Sequence, residues 1–195
     1  SPPTATRRSV VLGGIGLCMA GDAAASADAA PAKRLGKPAR SLIPVIDTHQ
    51  HMWDLSRLRL DWLPKQGPLA GSHTMADYEA TARGTGIVGS VYMEVDLDPA
   101  QHDREADLAV EMCRRPGNPM VAAVIGGRPG DPGFERYIRR FRGVPEVRGV
   151  RQVLFHPETP RGFCLSEAFV RSMRLLGEMA MLFDVCVPAE YLPDA

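Results

Sequence analysis

The chain lacks any excess of charge of one sign: 23 Lys and Arg balance 23 Asp and Glu across 195 residues. A balanced chain sets up no field to draw in a polyanion, which argues against nucleic acid as its main partner. Cysteine is scarce too, with only Cys18, Cys113, Cys164 and Cys186, widely spaced and without a C-x-x-C pair. That pattern argues against a disulfide framework. No internal repeat is present, and the apolar run Val10 to Ala20 is too short to cross a bilayer, so no stable membrane span is expected. The length suits one domain with a sizeable core rather than two.

What is present begins with an address. Arg7 and Arg8 precede the apolar segment Val10 to Ala20, and small residues at Ala23 to Ala30 offer cleavage sites. This order resembles a twin-arginine signal peptide over residues 1–30 and predicts an exported, periplasmic protein. Pro31 to Arg40 reads as a linker, which leaves residues 41–195 as the folded domain.

In that domain, apolar β-branched runs alternate with segments of helical spacing. The spacing predicts strands at Ile43–Asp47, Ile87–Val95, Met120–Ile125, Val147–Leu154 and Leu182–Val187. Helices are predicted between them at Met75–Arg83, Arg104–Arg115, Phe134–Arg142 and Glu167–Met179, the last with Ser166 as N-cap. In the second helix Ala106, Ala109, Val110 and Cys113 form the apolar stripe, and Arg104, Glu105, Asp107 and Arg114 are expected to face away. Strand then helix, repeated, implies an α/β fold with parallel strands and an active face at their carboxyl ends. Arg139, Arg140 and Arg142 read as a solvated helix face, and Cys186 as a small buried hydrophobe.

Several predicted strands end in polar residues. After Val45-Ile46-Asp47, residues i and i+2 of an extended chain place His49 and His51 on one side, a natural start to a metal site or a polar pocket. Asp47 is placed to fix an imidazole tautomer. Glu94, at the end of the second strand, suits a metal ligand, a general base or a partner for Arg151. Arg151 stands among apolar neighbours on the fourth strand, so its guanidinium is expected to reach the mouth and hold a substrate carboxylate or carbonyl, or else to pair with Glu94 or Asp96. His156, just past that strand, is a further substrate-binding candidate, whereas His73 and His102 have no supporting context.

The segment Val45-Ile46-Asp47-Thr48-His49-Gln50-His51-Met52-Trp53-Asp54 resembles the first-strand motif of amidohydrolase family 2, TIM-barrel hydrolases that include pyrone-dicarboxylate and sugar lactonases. Val91 to Asp96, Gly149 to Leu154 and Leu182 to Val187 with Glu190 to Pro193 follow in the family's order. The resemblance implies a (β/α)8 barrel, with His49 and His51 as ligands of one divalent ion, zinc or manganese. Metal-independent action stays open, because some of these lactonases use the histidines to polarise substrate. It also implies hydrolysis of a small-molecule lactone or related cyclic ester, with a metal-dependent decarboxylase and a non-catalytic half-barrel module as alternatives. Such barrels need roughly 250 residues. About 155 follow Arg40, so only the first five β/α units are expected, with the chain truncated before the family's general base and a homo-oligomer left open.

Overall fold

In the computed structural model, residues 43–194 are described, and the signal-peptide and linker readings fall outside them. Five strands, β1 (Val45–Gln50), β2 (Ile87–Met93), β3 (Met120–Gly126), β4 (Val147–Val153) and β5 (Leu182–Cys186), alternate with four helices. The helices are α1 (Met75–Ala82), α2 (His102–Arg114), α3 (Phe134–Arg139) and α4 (Glu167–Glu178). All strand pairs are parallel and follow sequence order, so the sheet curls as a half-barrel. Parallel neighbours need a crossover of a dozen or more residues, which the intervening helices supply.

The core lies between sheet and helices. Ala123, Ile125 and Val150 meet Ala106 and Ala109 of α2, Phe134 and Ile138 of α3, and Leu175 and Leu176 of α4. A fully buried side chain such as Ile138 or Leu176 contributes roughly 1.5–3 kcal/mol. Two alanines on α2 let that helix sit close on β3. On α4 the N-cap is as expected, the Ser166 hydroxyl accepting the Phe169 N–H.

Element types match the sequence reading, with shifted ends. β1 starts at Val45 rather than Ile43 and runs on to Gln50, which pairs with Tyr92. α2 starts at His102, and α3 stops at Arg139. Arg139 pairs with Glu135 one turn earlier, and Arg140 reaches Asp103 and Asp107 of α2. The α2 face is not as expected: Glu105 does not point away from the apolar stripe but is 1% exposed.

Candidate active site

The strand spacing at His49 and His51 does what it implies. Their Nε2 atoms lie 3.1 Å apart and the rings meet edge to face at the carboxyl end of β1. His51 Nδ1 is 3.1 Å from the Met93 carbonyl oxygen, which can only accept. The proton therefore sits on Nδ1, which makes the His51 Nε2 the acceptor in its contact with His49 Nε2. Desolvation, then the charge of Arg151, holds both imidazoles below their ordinary value, His51 at about 4, so the pair is neutral at pH 7. Asp47 does not set either tautomer. Its carboxylate accepts the His49 backbone N–H at 3.1 Å and the Tyr78 hydroxyl at 2.9 Å, and the Met93 carbonyl does the work instead.

Glu94 follows β2 directly and is fully buried. One carboxylate oxygen accepts the Asp96 N–H at 2.6 Å, and the other lies 3.0 Å from Nε of Arg151. Burial pushes the Glu94 carboxyl up to about 7, against the pull of Arg151 and with a push from Glu105. Arg151 pairs with Glu94, one of the partners weighed for it from the sequence. Its register partners are Gly126 on one side and Asp184 on the other. Asp184 was missed in the sequence, yet its charge couples to both His49 and Arg151, and burial raises its carboxyl. The sequence signal was a lone acid inside the apolar run of the fifth strand. Cys186, two residues on, is half-buried near Arg151 rather than packed in the core.

His156 lies with Asp96, Nε2 to carboxylate oxygen at 2.8 Å, and Arg128 approaches the same aspartate at 3.6 Å. Asp96 adopts φ 53°, a left-handed conformation that aspartate tolerates better than most residues. Its backbone can thereby donate to Glu94 while its carboxylate meets both His156 and Arg128. Behind this layer Glu105 accepts the Tyr92 hydroxyl and the Val95 N–H, both at 2.9 Å, and so flanks Glu94 from within the fold. His102, passed over in the sequence, is buried beside Glu105 and Gly126, and burial holds it at about 4. His73 packs its ring on Trp53 away from the pair.

Two convergent imidazole nitrogens, one with its tautomer fixed by a carbonyl, have the donor chemistry of half a divalent-metal site. Among the described residues no group of three or more His, Cys, Asp or Glu side chains completes such a site. His49 and His51 would therefore be the residues that hold an ion, with further ligands needed beyond them.

No protein-family model and no curated protein matches the chain. Solved structures do. An amidohydrolase 2 from Bifidobacterium longum subsp. infantis is 26% identical, with a TM-score of 0.58 over 78% of this chain and 55% of that one. An amidohydrolase from Burkholderia multivorans, solved with bound zinc, is 23% identical at TM-score 0.60, covering 78% of this chain and 52% of that one. A probable 2-pyrone-4,6-dicarboxylic acid hydrolase from Acinetobacter baumannii, with citric acid bound, shares the fold at 12% identity and TM-score 0.58, over 77% and 52%. The chain spans about half the length of these structures. The described residues thus have the fold of the first five β/α units of a TIM barrel, and their neighbours match amidohydrolase family 2, the family that the motif at His49 and His51 resembles.

Proposed function

We propose that the chain belongs to a hydrolase that opens a lactone or related cyclic ester at its carbonyl carbon. The observation that carries this reading is the His49–His51 pair, its nitrogens 3.1 Å apart at a strand end beside the Glu94–Arg151 pair. Support also comes from neighbours named as amidohydrolases, one solved with zinc. A divalent ion, zinc or manganese, held by His49 and His51 would supply Lewis acidity and a more acidic bound water. Arg151 offers guanidinium donors to a carbonyl or carboxylate at the mouth. Glu94, with its carboxyl near neutrality, can take or give a proton there at physiological pH. Asp96 holds His156 at the rim by its Nε2, which leaves the other ring nitrogen to meet substrate.

Two measurements made together test this. The purified protein is assayed for zinc and manganese, and a panel of lactones is screened for ring opening with and without added metal. Opening of a lactone with uptake of water supports the reading. Carbon dioxide release without water uptake would replace it with decarboxylation.

A further inference from the structure

Resting on the role proposed for the histidine pair, we propose that Tyr78 is a positioning residue: acting through Asp47, it pins a bulge in β1 that brings His49 onto His51. The register shows the bulge. Asp47 pairs with Ser90 and Gln50 with Tyr92, so Thr48 and His49 together stand opposite the single residue Val91. In a regular strand Asp47 and His49 would share one face. Here the Asp47 carboxylate turns to Tyr78 of α1, whereas His49 turns to His51. One extra residue in a strand re-aims side chains in this way, and a slip of register would undo it.

Both carboxylate oxygens of Asp47 are committed to that turn. Oδ1 accepts the His49 backbone N–H at 3.1 Å, across the bulge itself, and Oδ2 accepts the Tyr78 hydroxyl at 2.9 Å. Burial, then the Asp47 carboxylate, pushes the Tyr78 phenol up to about 12, so it stays a donor at neutral pH. The helix that carries it is set at its start. Asp77 accepts the Thr74 N–H and hydroxyl at 2.7 and 2.8 Å, and the Tyr78 N–H donates to the Thr74 carbonyl. α1 also meets β1 on the far side of the bulge, where the amide of buried Gln50 lies 3.9 Å from the Met75 sulfur. The first turn of α1 thus grips β1 before and after Thr48 and His49. Released from Asp47, the His49 backbone is free to straighten into the ladder and carry its ring off His51. His51 keeps its own anchor at the Met93 carbonyl, so the loss falls on His49.

The full chain, carrying isotope-labelled histidine, is compared as wild type, Tyr78→Phe, Asp47→Ala, the double variant of these two, and Asp47→Asn. Magnetic resonance of the metal-free protein reads the nitrogen–nitrogen coupling across the His49–His51 contact, zinc affinity is read by competition with a chromophoric chelator, and circular dichroism follows melting. Wild type should show the coupling. Tyr78→Phe and Asp47→Ala should lose it and bind zinc roughly tenfold or more weakly. The double variant should bind no more weakly than Asp47→Ala, because Tyr78 acts only through Asp47. Asp47→Asn should keep the pair, since its Oδ1 still accepts the His49 N–H and its Nδ2 can donate to the Tyr78 oxygen. Coupling retained in Tyr78→Phe overturns the positioning role, whatever the melting temperature does, and leaves the hydrolase reading standing. Losses that add in the double variant also overturn it, as does a wild type without the coupling. A wild type that binds no zinc removes that metal from the pair, and the coupling alone then decides on Tyr78.

Discussion

A carboxyl group with no solvent contact must be paired, hydrogen-bonded or protonated, and Glu94 draws on all three. Its folded value of about 7 against an ordinary 4.5 means that the folded chain keeps a proton the unfolded chain has released. Stability attributable to Glu94 therefore declines as pH rises from about 4.5 to about 7 and then levels off. His51 runs the other way, because a value lowered from 6.5 to about 4 costs stability as pH falls through that window. Comparing wild type with Glu94→Gln cancels the histidine contribution. Wild type should lose on the order of 3 kcal/mol relative to the variant between the two ends of the Glu94 window, read from urea midpoints. Identical slopes in both proteins would contradict it. His49, His51 and Glu94 were legible because polar groups gather where apolar runs end, and Arg151 because it interrupts an apolar strand. Glu105 was not, since a charge beside Ala106 reads as solvated until Tyr92 and Val95, donors from another stretch of chain, are brought against it. Asp184, a lone acid in an apolar run, gained a place at the mouth through its register with Arg151.

Between elements, the closest backbone approach that constrains sequence is at Gly149. A Cβ there would lie 2.8 Å from the Leu182 carbonyl oxygen, so only glycine lets β5 pair at this level. Gly149→Ala should destabilise the fold by about 1–3 kcal/mol through overpacking, measurable as a lower thermal midpoint. It should also loosen Arg151 from Asp184, two residues along the same pairing. An unchanged midpoint would show that the strands separate without cost. Strand and helix types were readable from β-branched runs and helical stripes, whereas their ends were not. Thr48, His49 and Gln50 do not look like a strand in isolation, and it is pairing with β2 that extends β1 through them. His102 begins α2 because the chain is already turning over Pro99–Gln101, with the Asp98 carboxylate accepting the Ala100 N–H.

At the scale of the molecule, the alternation of strand and helix announced a parallel sheet, and the order β1 to β5 follows from short connections between neighbours. Among the described residues β1 pairs only with β2 and β5 only with β4. Ile46, Leu182 and Val185 on these two strands are each more than half exposed. Unpaired parallel edges carrying apolar side chains favour association. The 195-residue chain should show a mass that grows with concentration in sedimentation, and Val185→Lys should lower it. A monomer at every concentration would contradict that reading. The fold places the histidine pair, Glu94, Arg151 and Asp184 at one mouth, and the proposed chemistry depends on the pair. The most direct measurement is lactone ring opening by wild type against the His49→Ala, His51→Ala double variant, with circular dichroism showing both folded. Loss of roughly 100-fold or more in turnover is the predicted result, and turnover unchanged in the double variant would contradict the account.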